Sequence, residues 1–290
     1  MHPSPTALRL TAILCVLVAL ASAGGLFWPL DGANRVFTTL YGEEVTLYGQ
    51  GLYRNDTLFT AAGNRGVDLT LLVLVVPLMA VSAVLYQRGS LRGGLLLAGA
   101  LSFCLYAYVS TTFASAYNPL FLLYVAIFSA GLFGLIATLR SLDPEVVRGH
   151  LGERLPRRSL AVFLYICAAA TLFIWLEPIV TGLIRGEAPP LLDSYTTLVT
   201  YALDLAVITP TVLLTATMVR KRQPFGYVLS MALLVLLALL APQIVAQSVF
   251  QVRAGVNYAP GEIVGPICGF ATLAVAALYF LVRILRGIEA

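Results

Sequence analysis

The chain is built from apolar runs of about 20 residues, and short polar segments separate these runs along its whole length. A helical run of that length matches the ~30 Å hydrocarbon core of a bilayer. A transmembrane β-barrel would instead show alternating segments of about ten residues. The pattern predicts an all-α integral membrane protein, a bundle of about eight transmembrane helices. The predicted spans lie at about 9–30, 68–86, 94–117, 119–139, 159–182, 196–219, 226–250 and 263–282.

The composition excludes a water-soluble domain. Charged residues make up 11% of the chain and hydrophobic residues 59%, whereas soluble domains carry roughly 25% charged residues. A water-facing surface cannot be built from so few charges. We therefore expect residues 1–290 to form a single polytopic membrane domain, with the lipid bilayer as its first partner.

The distribution of charge predicts the orientation of the spans, because cytoplasmic loops retain Lys and Arg. With the N-terminus inside, the inner segments hold 13 of the 18 basic residues: one before the first span, two at 88–92, five at 140–158, three at 220–222 and two after the last span. We therefore expect both termini in the cytoplasm. Since orientation explains the +4 net charge, we infer no nucleic-acid partner. Seventeen arginines against one lysine are typical of a GC-rich bacterial genome and favour the inner (plasma) membrane.

The first span has a second interpretation. Arg9, an apolar run and the sequence Ala21-Ser22-Ala23 resemble a signal peptide with its cleavage site after residue 23. The apolar stretch continues through Leu26 to Leu30, however, which favours a retained helix. Cleavage would leave seven spans and an external N-terminus.

The longest predicted loop, 31–67, lies outside the cell on this topology. Its tyrosines and β-branched residues are broken by glycines, which predicts a short hairpin or a loop packed on the membrane surface. A second loop, 141–158, divides the chain into halves 1–140 and 159–290. Each half has an aspartate pair, Asp56 with Asp68 and Asp193 with Asp204, followed by a proline-containing span and a basic turn. We interpret these similarities as a pair of parallel four-helix repeats. The alternative is that aspartates at outer helix ends and arginines at inner helix ends are common features of membrane helices.

Ionisable side chains inside a bilayer cost ~2.5–3.5 kcal/mol on insertion scales and are functional candidates. Asp204 lies inside the sixth span, Glu177 near the outer end of the fifth and Asp68 at the outer end of the second. Gln243 and Gln247 share one helix face by their i, i+4 spacing. We expect an outward-opening polar cavity lined by these groups, with Tyr201 nearby. The alternative is interhelical hydrogen bonding, with the carboxylates reaching the membrane interface.

The sequence implies no cofactor and no metal site. The four cysteines (Cys15, Cys104, Cys167 and Cys268) lie in separate apolar runs, and neither His2 nor His150 lies in a span. These positions argue against CxxC chemistry, zinc or haem ligation and Ser-His catalysis.

Three classes of function are compatible with these features. The first is a transporter or permease for a cation or small polar solute, although no ionisable relay continues to the inner side. The second is a membrane enzyme that acts on a lipid-linked substrate at the outer face, where Glu43, Glu44 and Asp56 occupy the first outer loop. The third is a non-catalytic sensory or assembly subunit. The scarcity of catalytic motifs makes a transporter the best prediction and an enzyme less expected.

Overall fold

The computed structural model describes residues 2–151, 155–189, 192–258 and 260–288. In this part of the chain, eight helical segments are long and apolar enough to cross a membrane, so the predicted count is confirmed. The helices are α1 (Pro5–Phe27), α2 (Leu58–Thr70), α3 (Val76–Gln87), α4 (Leu91–Ala114), α5 (Phe121–Ser141), α6 (Pro144–Leu151), α7 (Arg157–Arg185), α8 (Val199–Leu203), α9 (Thr209–Arg220), α10 (Pro224–Arg253) and α11 (Pro260–Gly287).

Two of the eight segments contain a π-helical turn. Leu71–Val75 joins α2 to α3, and Asp204–Ile208 joins α8 to α9. In each case a proline, Pro77 or Pro210, occupies the second position of the following helix. Proline has no N–H, and its ring displaces the carbonyl four residues earlier, which lies in the π turn. The wider turn therefore accommodates the proline without breaking the segment.

The second segment begins ten residues before its apolar run, which shortens the predicted loop 31–67. Thr57 caps α2, because its side-chain oxygen accepts a hydrogen bond from the Thr60 N–H at 3.4 Å. Before it, β1 (Arg35–Thr38) and β2 (Glu44–Leu47) pair antiparallel as a hairpin. We call the end of the bundle that carries β1 and β2 the hairpin end.

Helix α10 occupies the centre of the bundle and packs against α2, α4, α9 and α11. Where α2 and α4 come closest to α10, the residues that face it are glycines. A Cβ added at Gly66 of α2 would lie 2.4 Å from the Gln247 backbone nitrogen, and one at Gly99 of α4 would lie 2.4 Å from the Val235 Cβ. Small residues thus let α10 approach both helices at short range, as in other packed membrane helices.

The apolar core has two main parts. One is formed by α1 and the α2–α5 segments, with Tyr86, Phe103 and Ile127 among its fully buried members. The other is formed largely by α7, α9, α10 and α11, and α6 covers it by burying Val147 and Leu151. Residues of α4 and α10 belong to both parts, so these two helices join the two parts of the core.

The turns between α3 and α4 and between α9 and α10 have the same geometry. Gly89 and Arg222 both adopt positive φ, +81° and +60°. The next N–H in each turn, Ser90 or Gln223, bonds back to a carbonyl five residues earlier, at 3.1 Å and 2.9 Å. In both turns the positive-φ residue follows the proline by twelve positions, and a close-packed glycine, Gly93 or Gly226, comes four positions later. The proline, the positive-φ residue and the glycine therefore have the same spacing in both segments. The two segments can be aligned residue by residue on these positions, and we call this alignment the shared register.

We predict that Gly66→Ala destabilises the protein. The new Cβ would meet the backbone of α10, which cannot rotate away, so the helices must separate. Overpacking of this kind costs about 1–3 kcal/mol, and the melting temperature of the purified protein should fall by several degrees. The control is Gly269→Ala in α11, where an added Cβ meets nothing within 4 Å. Equal melting temperatures for the two variants would contradict the close contact.

Candidate functional site

Asp204 lies buried at the start of the second π turn. Its Oδ2 accepts a hydrogen bond from the Trp175 indole Nε1–H of α7 at 2.8 Å, and the Tyr106 hydroxyl of α4 lies close to this carboxylate. The Tyr201 ring lies over Trp175, with centroids 4.2 Å apart. We call Asp204, Trp175, Tyr201 and Tyr106 the Asp204 cluster. It joins three helical segments around one carboxylate.

The Asp204 cluster lies about one and a half turns below the hairpin end. Asp204 comes five residues after the first residue of α8, which is about 7.5 Å at 1.5 Å per residue. π turns occur frequently at functional sites, and this carboxylate begins one. The cluster includes two of the predicted site residues, Asp204 and Tyr201, both in contact with Trp175.

Asp68 lies in a separate group between α1, α2 and α4. The Tyr53 hydroxyl donates a hydrogen bond to Asp68 Oδ2 at 2.7 Å. An added Cβ at Gly25 would lie 1.7 Å from the same oxygen, so only glycine leaves room for the carboxylate. The hydroxyls of Ser22 and Tyr108 lie nearby without a hydrogen bond of normal geometry. Asp68 therefore connects the loop before α2 to the first helix.

The two glutamines form a third group on α10. Gln243 Nε2 donates to Gln247 Oε1 at 3.4 Å, which confirms that the amides share a face. Gln251, one turn further, donates to the Phe59 carbonyl at 3.1 Å. Buried Gln243 Oε1 has no hydrogen-bond partner in the described part of the chain. This row of amides follows the contact between α10 and α2.

Glu177 is exposed on α7, and the Thr181 hydroxyl of the same helix donates to it at 3.2 Å. Across the described residues, no hydrogen bond links Glu177, Asp68 or the glutamine pair to the Asp204 cluster. The structure thus places the predicted residues in three polar groups plus one surface carboxylate. The hypothesis of one shared cavity stays a hypothesis.

Asp56 is the buried carboxylate that sequence reasoning did not select as a site. It is fully buried, and its Oδ1 accepts hydrogen bonds from the Ala116 N–H at 2.7 Å and the Tyr195 hydroxyl at 2.8 Å. Next to it, the Thr57 hydroxyl donates to Asp193 Oδ2 at 3.1 Å. Asp56 thereby ties the loop before α2 to the α4–α5 turn and to the segment before α8.

Burial raises the pKa of Asp56 to about 7, although the two donors partly oppose that shift. Its other oxygen, Oδ2, has no hydrogen-bond partner among the described residues. Burial also raises the pKa of Asp193 above its ordinary value. The sequence marked Asp56 only as a member of an aspartate pair and as an acid of the first outer loop, and neither signal indicated that it is buried.

A cavity of about 710 Å³ opens at the hairpin end. Its walls come from the hairpin, the last turn of α4 and the segment that leads into α8. The lining residues are Arg35, Val36, Phe37, Leu47, Asn55, Phe113, Ala114, Ser115, Ala116, Ser194, Tyr195, Thr196, Thr197 and Val199. Val199 comes five residues before Asp204, so the cavity lies above the Asp204 cluster at the boundary between α4 and α8.

Among the described residues, no three His, Cys, Asp or Glu side chains are grouped so as to hold a metal ion. The buried aspartates are dispersed, each with its own donors. The chain matches no protein-family model, no curated protein and no solved structure. Its site must therefore be interpreted from its own geometry.

We predict that Asp56→Asn stabilises the protein at alkaline pH. With a folded-state pKa near 7 against an ordinary 3.8, the folded protein binds this proton more tightly than the unfolded chain. The free energy of unfolding therefore falls as pH rises from about 4 to 7, then stays constant. Asn mimics the protonated form, so the melting temperature of the variant should exceed the parent's by several degrees at pH 8, and by less at pH 5.

The matched control for this measurement is Asp31→Asn, an exposed carboxylate of the same loop. Its melting temperature should follow the parent's at both pH values. A destabilised Asp56→Asn at pH 8 would show that the charged carboxylate, rather than the neutral acid, stabilises the three-segment contact.

Proposed function

We propose that the protein is a multi-pass transporter for a cation or small polar solute, in the inner membrane of a bacterium, with the hairpin end and its cavity facing outside. The observation that supports this proposal is Asp204. It is a buried carboxylate inside an apolar helical segment, below an open cavity, where it accepts a hydrogen bond from Trp175 of α7 and lies close to Tyr106 of α4. A charge in this position is costly for a purely structural role.

A proton or an organic solute fits this arrangement better than a metal ion. Metal cations prefer several oxygen ligands at once, whereas the Asp204 cluster supplies one carboxylate with its donors already in place. The aromatic faces of Trp175 and Tyr201 suit an organic cation. The π turn at Asp204 and Pro210 supplies a local irregularity at which the helix can rearrange.

We also propose that the halves are parallel repeats, supported by the shared register of the two proline-containing segments. In that register Asp68 corresponds to Tyr201, and Asp204 corresponds to Leu71. In the alignment of the two segments, Asp68 and Asp204 are thus offset by about one helical turn. The proposed repeat gives the two halves a similar helical framework. Only the second half has a carboxylate at the position of Asp204.

Orientation is tested by cysteine labelling in intact cells. In a background with the four native cysteines replaced by alanine, Glu43→Cys in the hairpin turn should react with a membrane-impermeant maleimide added outside. His150→Cys and Arg222→Cys should react only after permeabilisation. All three positions are exposed, so access to the reagent depends on sidedness alone. Labelling of position 150 or 222 from outside would reverse the proposed topology.

Transport is tested with purified protein in liposomes that contain a pH-sensitive dye. A potassium diffusion potential is imposed, and proton movement is followed with and without an added panel of amines and amino acids. We expect flux above that of protein-free liposomes. Asp204→Asn should lower the flux at least tenfold, because the amide keeps the size of the side chain and removes the charge.

The matched control for Asp204→Asn is Glu187→Gln, which makes the same acid-to-amide change on an exposed carboxylate near the same end of the bundle. Its flux should equal the parent's. Melting temperatures of both variants show whether a loss of flux follows a loss of fold. Full flux in a folded Asp204→Asn protein would exclude Asp204 as the binding carboxylate.

A further inference from the structure

The cavity at the hairpin end has a cationic rim. Arg35 is the one basic residue among the described residues that line it, and none of those residues is acidic. Its Nη2 donates to Asn55 Oδ1 at 2.8 Å, and no described carboxylate forms an ion pair with it. Guanidinium has five N–H donors, so the exposed Arg35 side chain has donors left for another acceptor. This chemistry favours an anionic group.

Hydroxyls surround the remaining part of the rim. Ser194, Thr196 and Thr197 line the cavity and have no hydrogen-bond partner in the described part of the chain. The Ser115 hydroxyl accepts from Asn64 at 3.0 Å, which leaves its own proton to donate. Hydroxyl donors next to an arginine suit the several oxygens of a phosphate.

Two carboxyls next to the cavity wall are held by donors and have raised pKa values. Asp56 and Asp193 lie behind the cavity wall, where Tyr195 and Thr57 donate to them. Burial raises the pKa of each, that of Asp56 to about 7. Both carboxyls are therefore easier to neutralise than an ordinary aspartate when an anion binds nearby.

One side of the cavity is apolar and faces outward from the bundle. The Phe113 ring is 61% exposed and packs edge-on against Phe128 at 5.8 Å between centroids. Val36 and Phe37 are exposed on the opposite wall. Phe113 belongs to the last turn of α4, at the depth where a membrane-spanning helix meets the lipid interface. A ligand with an apolar chain therefore has a path from the rim to the acyl region.

We propose that this cavity binds an anionic amphiphile, whose phosphate head group contacts Arg35 and the surrounding hydroxyls while its chain passes Phe113 into the bilayer. A volume of about 710 Å³ is within the ~300–1,000 Å³ typical of small-ligand sites. The proposal rests on the membrane placement given under the proposed function. It does not depend on transport, because binding is measured on detergent-solubilised protein.

The test is isothermal titration of the purified protein at pH 6.5 in an uncharged maltoside detergent. The probes are dihexanoyl phosphatidic acid, dihexanoyl phosphatidylcholine and inorganic phosphate. We expect phosphatidic acid to bind at least tenfold more tightly than either of the others. Equal affinity for phosphatidylcholine would overturn the role of charge, and equal affinity for inorganic phosphate would overturn the role of the chain.

Two variants locate the contacts. Arg35→Gln should weaken binding of phosphatidic acid at least tenfold, and Phe113→Ala should weaken it severalfold without affecting inorganic phosphate. The matched control is Arg54→Gln, an exposed arginine of the same loop that pairs with Asp31 outside the cavity, and its affinity should equal the parent's. Both arginines are exposed, so loss of fold does not explain a difference between them. Unchanged affinity in Arg35→Gln would overturn the proposal.

Discussion

The close approach of α10 to α2 and α4 is the contact on which the rest of the bundle depends. Two helices come this near only where side chains are absent, and Gly66 and Gly99 supply those positions. Lipid tails are as apolar as leucine, so helices in a membrane gain little from burying apolar surface against one another. Packing at short range and hydrogen bonds must stabilise the contact instead, and Gln251 adds one to the Phe59 carbonyl.

The hairpin end is organised by three buried aspartates, each of which receives donors from another segment. Asp68 joins the loop to α1, Asp56 joins the loop to the α4–α5 turn and to the second half, and Asp204 joins α7 and α4 to α8. Every acid within a span lies toward this end. The opposite half of the bundle is built mainly from apolar packing, so polar chemistry is concentrated on one side.

The sequence predicted the architecture because its strongest signals are local. Runs of about 20 apolar residues mark a helix whatever it packs against, and the glycine-broken tyrosines of the loop indicated the hairpin. The start of α2 was not predictable from hydropathy, since residues 58–67 are polar enough to resemble a loop. Their burial comes from contact with α10, which is distant in sequence.

The candidate site was predicted less completely, for the same reason. The i, i+4 spacing of Gln243 and Gln247 is a local property, and the structure confirms their shared face. The partners of Asp204, however, come from residues 29 positions before it and from α4, in the other half. Asp56 belongs to an aspartate pair in the sequence, but its burial depends on Ala116 and Tyr195, which only the folded chain brings near.

The cavity itself follows from a difference between the proposed repeats. Gly66 lies eleven residues before Pro77, and the position eleven residues before Pro210 is Val199. Gln247 lies 21 residues after Gly226, and the position 21 residues after Gly93 is Ala114. The contact between Gly66 and Gln247 thus corresponds to the place where Val199 faces Ala114. These two residues line the cavity.

Glycine allows the first pair of helices to touch at the backbone, whereas Val199 and the preceding threonines line the open cavity at the second boundary. Thr196 occupies the position that corresponds to Gly63, another glycine of the closed contact. In the proposed pair of repeats, one boundary is closed and the other opens into the cavity at the hairpin end. That place lies directly above Asp204, on the side where the polar residues are, and so the asymmetry connects the packing of the halves to the proposed binding sites.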